Sequence, residues 1–141
     1  MEVPQQAIVA VGDSVAYGAY DTVRGGWVTR LGRILVATYP HAHIRLVNAA
    51  GNGGNSGLLV TVLHHVRQHA TPVLILIAYG LNDFDERVPA KTLAAHLRAA
   101  VRLLRSCVTF KNSRPFFLTD QWPSADCAAS GSASVIDRQS S

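Results

Sequence analysis

Three groups of residues able to do chemistry recur at matching places along this chain. Gly12-Asp13-Ser14 closes the first apolar run. Gly51-Asn52-Gly53-Gly54-Asn55-Ser56-Gly57 follows the second, and Gly80-Leu81-Asn82-Asp83 follows the third. A serine hydroxyl held on a rigid support is a nucleophile in waiting. Backbone N–H groups of a glycine-rich turn and a side-chain amide are the donors that stabilise the oxyanion formed when a carbonyl is attacked. Together they are the parts of an acyl-transfer site. By itself Gly-Asp-Ser also suits an ordinary turn, with glycine for backbone freedom and Asp and Ser bonding to nearby backbone. The agreement of three successive loops is what points to a site.

The elements that must position these loops alternate regularly. Residues 7–11 (AIVAV), 43–48 and 73–78 (VLILIA, preceded by Pro72) are short apolar runs rich in β-branched side chains, the pattern of buried strands. Helices are expected near Trp27–Thr38, Ser56–His69 and from about Pro89 to Ser106, with Pro89 suited to a first turn. Arg114–Thr119 reads as a fourth strand. Such a βαβαβαβ order calls for a parallel sheet covered by helices on both faces. Parallel strands place all three loops along one edge, where open α/β sheets carry their active sites. The expected organisation is one domain over residues 1–120 and a flexible, small and polar tail over 121–141.

In order and spacing, Gly12-Asp13-Ser14 with Gly18, the glycine-rich loop after Asn48-Ala49, and Gly80-x-Asn82-Asp83 resemble the first three sequence blocks of the SGNH (GDSL-type) hydrolase superfamily. The resemblance covers roughly residues 7–120. It implies a flavodoxin-like three-layer α/β/α sandwich with a parallel sheet of about four strands, its C-terminal part missing. It also implies hydrolysis of carboxylic esters or thioesters through an acyl-enzyme. Ser14 matches the nucleophile, and its own N–H matches one oxyanion donor. Gly54 matches the glycine that supplies a second donor, with Gly53 as the alternative because the loop is about one residue longer than usual. Asn82 matches the third donor. Asp13 and Asp83 match residues that shape the loops. The implied partner is a small-molecule ester, with no cofactor and no metal.

One block of that family has no counterpart. Its acid and base stand in Asp-x-x-His near the chain's end, whereas here Asp85, Asp120, Asp126 and Asp137 are followed three residues on by Val88, Pro123, Ala129 and Ser140. The last histidine is His96, inside an expected helix. His64, His65, His69 and His96 belong to helices expected to run away from the site, which makes them poor substitutes for the base. A serine without a positioned base is a weak nucleophile. The chain is therefore expected to be truncated or frame-shifted relative to the family and weak or inactive as it stands, with possible self-association through uncovered apolar surface.

Composition narrows the alternatives. A chain of 141 residues with 48% hydrophobic content suits a single cored domain. No apolar run is long enough for a membrane span, and MEVPQQ lacks the features of a secretory signal. The expected location is cytoplasmic, or secreted if a leader was removed. Cys107 and Cys127 make no disulfide framework. The net charge of +4 comes from scattered arginines. Arg98, Arg102 and Arg105 recur opposite Leu93, Leu97 and Leu104, as on a solvated helix face, so no nucleic-acid partner is expected. The pairs His41/His43 and His65/His69 have metal-ligand spacing but no third ligand nearby. Tyr17, Tyr20 and Tyr79 are near enough to line an acyl pocket. Two other classes remain. One is a non-catalytic remnant that binds a small ester or sugar. The other is a nucleotide-binding α/β module, suggested by Gly51-x-Gly53-x-x-x-Gly57. Ser56 stands where that motif needs its third glycine, and no acidic residue ends the next strand.

Overall fold

The computed structural model describes residues 6–106. Within them lie three strands, β1 (Gln6–Gly12), β2 (Ile44–Asn48) and β3 (Leu74–Ala78). The helices are α1 (Ser14–Tyr17), α2 (Gly26–Thr38), α3 (Leu59–His69), α4 (Leu81–Asp85) and α5 (Ala90–Arg105). All three strands are parallel, in the order β2-β1-β3. The expected fourth strand, Arg114–Thr119, and the tail at 121–141 lie outside the described residues.

Side-chain alternation along the strands sends residues to two cores. Val9 and Val11 point to one face, where they pack with Leu59, Leu63 and Val66 of α3 and Ala100 of α5. Val47, Ile75 and Ile77 extend this layer from the flanking strands. Ala10 points the other way and packs with Ala16 of α1 and Val28 of α2, joined by Trp27, Leu46, Leu76 and Ala78. The sheet is thus sandwiched, and β1 is its most enclosed strand because it is paired on both edges and covered on both faces. This is the three-layer α/β/α arrangement that the sequence pattern predicts. On α5, Arg98, Arg102 and Arg105 are exposed, as the helical spacing requires, and the last two also complement the negative helix end.

The strand order places a reversal between β1 and β3. From β1 the chain moves outward to β2, then crosses back to pair β3 on the other edge of β1. Helix α2 follows β1 on one face, and α3 and α5 cover the other. The crevice beyond the carboxyl ends of such strands is where doubly wound sheets bind ligands. Its floor is tight. A Cβ added at Gly12 would stand 2.5 Å from the Ala78 carbonyl oxygen, so only glycine lets β1 and β3 approach where they end.

Two short helices stand where the sequence suggests plain loops. At α1, the Asp13 side chain accepts from Val15 N–H at 2.9 Å and caps the helix start. At α4, the chain first turns through Gly80 with φ of 140°, a conformation that L side chains rarely adopt. Helices of four and five residues are too short to leave a periodic signature in sequence.

Candidate active site

Ser14 is the first residue of α1, directly beyond β1, and it is half-buried. As an opening residue of the helix, its N–H has no intrahelical partner. The neighbouring Asp13 is buried, with its backbone N–H donating to Ala78 O at 3.3 Å and its carboxylate occupied with the cap. Asp13 therefore fixes the turn. No hydrogen bond engages the Ser14 hydroxyl among the described residues.

The loop after β2 is sewn to both neighbours. Gly51 N–H donates to Gly12 O at 3.1 Å, extending the β1–β2 ladder past the strand end. Asn48 donates its side-chain amide to Ala16 O at 3.0 Å and so ties β2 to α1. Asn55 caps the 3-10 turn Ser56–Leu58, accepting from Gly57 N–H at 2.9 Å, and donates to Glu86 Oε2 at 2.6 Å. Gly53, by contrast, is exposed.

The loop after β3 meets the β2 loop directly. Asn82 donates its side-chain amide to Gly54 O at 2.7 Å. A carboxamide nitrogen carries two hydrogens, so one remains for a second acceptor. Gly54 is buried, and a Cβ there would lie 3.3 Å from Cε1 of Tyr79. Asp83 is buried and accepts from Ser56 N–H at 2.9 Å and from the Ser56 hydroxyl. Tyr79 lies at the end of β3 with its phenol held above the ordinary pKa. Burial is the larger cause, followed by the negative charges of Asp13 and Asp83.

The structure thus joins Gly54 to Asn82, and Asp83 to the loop that carries Gly54. It joins the turn around Ser14 to both flanking strands through Gly12, Asp13 and Ala16. Two residues the sequence reading passed over belong to the same network. Ser56 is buried, and its Oγ lies 2.8 Å from Nδ1 of His96. His96 was expected to be remote from these loops. It is not, because α5 packs along α3 and brings its second turn against the 3-10 turn. His96 stands in register with Leu93, Leu97, Ala100 and Leu104, the apolar face of α5. A polar residue at a core-facing position was the signal available.

Tyr20 is 91% exposed and Tyr17 52% exposed. His65 and His69 lie ring against ring at 4.3 Å, and His69 Nδ1 bonds to His65 O at 2.9 Å. Among the described residues no group of three or more metal-ligating side chains is assembled. Among them also, no helix is long and apolar enough to cross a membrane. A groove of about 540 Å³ between α2 and β2, lined by Val28, Gly32, Val36 and Leu46, includes none of Ser14, Gly54 and Asn82.

A parallel sheet between helix layers, with a serine turn, a glycine loop and an Asn-Asp loop each leaving the carboxyl end of a strand, defines a class of hydrolase fold. The chain belongs to the GDSL-like lipase/acylhydrolase family, whose model matches residues 10–134. Among solved structures it is similar to the SGNH-hydrolase family esterase AlinE4, with 20% identity and a TM-score of 0.62, covering 75% of this chain and 56% of that one. It is similar to TesA, with 29% identity and a TM-score of 0.61, covering 72% and 55%. It also resembles the psychrotrophic esterase EstA from Pseudoalteromonas sp., with 27% identity and a TM-score of 0.61, again covering 72% and 55%. The chain therefore spans little more than half the length of these structures. No curated protein matches it significantly.

Proposed function

We propose that this chain carries the nucleophile and oxyanion half of a serine ester hydrolase site, acting on carboxylic esters or thioesters. In this reading Ser14 Oγ attacks the carbonyl carbon. The oxyanion is received by the N–H groups of Ser14 and Gly54 and by the free N–H of the Asn82 carboxamide. The proton of the Ser14 hydroxyl passes through solvent to the departing alkoxide or thiolate, which leaves as alcohol or thiol; water then adds to the acyl-enzyme, releasing the acid and returning a proton to Ser14 Oγ. The observation that carries the reading is the bond from Asn82 to Gly54 O. It holds the amide at the glycine loop while leaving one of its hydrogens for an incoming oxygen. Family membership and the esterase neighbours support ester hydrolysis as the reaction class.

The general base is the weak part. His96 is engaged with Ser56, and no histidine bonds to Ser14 among the described residues. Oxyanion stabilisation without acid–base partners leaves a residual acceleration over water of about 10³–10⁴ in serine proteases. We therefore propose slow turnover for this chain. Short p-nitrophenyl esters test the reading. Hydrolysis above background that disappears in Ser14→Ala supports it. Equal rates for the two proteins overturn it and favour a binding remnant of the fold. Fusing an Asp-x-x-His segment from a longer relative should raise turnover if the base is what limits it.

A further inference from the structure

Ser56 has no part in the reaction proposed above, yet it is buried and fully bonded. Its N–H donates to Asp83 Oδ2 at 2.9 Å, its hydroxyl donates to Asp83 Oδ1, and its Oγ lies 2.8 Å from His96 Nδ1. A hydroxyl has a single hydrogen to give. With that hydrogen on the Asp83 carboxylate, Oγ accepts from the imidazole. The network thereby assigns the His96 proton to Nδ1 and reads Nδ1–H to Oγ–H to carboxylate in one direction.

Serine, histidine and aspartate in contact suggest a second triad, but the order excludes it. The serine lies between acid and imidazole, so the imidazole donates to Oγ instead of being oriented by the acid to take its proton. It is also 1% exposed, so a substrate carbonyl has no approach. The position of the network is more telling. Ser56 is two residues beyond Gly54, and Asp83 is the residue after Asn82. The network therefore spans the same two loops as the bond from Asn82 to Gly54 O, one step deeper, and α5 anchors it through His96.

We propose that His96 is a positioning residue for the oxyanion site: acting through Ser56 and Asp83, it sets how Gly54 and Asn82 face one another. The proposal rests on the oxyanion reading given above. Donors aimed at a developing charge must be held to fractions of an ångström, and two glycine-rich loops cannot hold that by themselves. A carboxylate locked to one loop by its own backbone and to the other by a backbone N–H and a hydroxyl can.

Nuclear magnetic resonance of the whole labelled chain tests this without relying on turnover. In mildly alkaline solution His96 should show the Nδ1–H tautomer, and an Nε2–H tautomer would overturn the assignment. His96→Leu should shift the Gly54 backbone amide and the Asn82 side-chain amide and hasten their exchange. His96→Asn, whose amide nitrogen takes the place of Nδ1, should restore both. Unchanged Gly54 and Asn82 signals in His96→Leu, or equal disturbance by Leu and Asn, would sink the proposal. If His96→Leu does not fold, Ser56→Ala replaces it and the wild-type tautomer still decides. With p-nitrophenyl acetate, His96→Leu should lower kcat about 10- to 100-fold, as displaced catalytic groups do, at nearly constant KM, and His96→Asn should recover most of it. A wild-type chain without ester turnover would defeat the oxyanion reading, while the tautomer and amide signals would still judge the positioning.

Discussion

The side chain of Asn82 donates to the carbonyl of Gly54 at 2.7 Å, joining two loops that leave different strands. The bond makes the glycine loop and the amide one unit, so a change at either is felt at both. Asn82→Ala removes a donor and strands a buried carbonyl. Loss of one oxyanion donor costs about 10²–10³ in kcat. We expect that fall in ester turnover with KM little altered, measured by steady-state kinetics. A change confined to KM would assign Asn82 to ground-state binding.

Gly12→Ala tests the tight crossing of β1 and β3. The new methyl group would stand 2.5 Å from Ala78 O and 2.8 Å from Ala16 Cβ. Overpacking of this kind costs about 1–3 kcal/mol. Urea denaturation should show that loss, and ester turnover should fall with it, because the contact lies next to Ser14.

Leu63→Ala probes the α3 side of the core. Leu63 is fully buried with Val9, Val11 and Leu59, and such truncations cost about 2–5 kcal/mol. The midpoint of urea unfolding should drop accordingly. Substitution of exposed Arg98 should move it by no more than about 0.5 kcal/mol.

Tyr79 gives a signature at high pH. Its folded-state pKa is raised, first by burial and then by Asp13 and Asp83. The folded protein therefore holds the phenol proton more tightly than the unfolded chain does. The associated stability is complete below the ordinary phenol pKa of about 10 and is lost as pH rises through the higher folded value. Ultraviolet titration should show one tyrosine ionising late. Tyr79→Phe should remove that component and flatten the alkaline decline in stability.

The strands were legible because β-branched apolar runs have few other uses, and their ends were legible because Gly12, Gly51 and Gly80 punctuate them. Helices α2, α3 and α5 announced themselves through apolar spacing. Helices α1 and α4 did not, since Asp13 and Gly80 impose them locally over less than a full amphipathic stretch. Asp83 is bonded to the β2 loop through Ser56, a partner that has no signature of its own in the sequence. His96 was the harder case. Forty positions separate it from Ser56, and nothing short of the packing of α5 on α3 tells which loop its ring will meet.

The central place of β1 also has a bearing on how the chain is made. β1 is synthesised before both its partners, and its two edges are satisfied by strands that come later, β2 and then β3. Until Leu74–Ala78 has emerged, the strand that leads into Ser14 presents an open apolar edge, the kind of surface that draws other chains. Its contacts are long-range and must wait for loop closure. A ribosome-bound chain halted before β3 should therefore engage chaperones strongly, and one halted after α5 should not, so the same arrangement that encloses β1 in the finished fold leaves it the most vulnerable segment at birth.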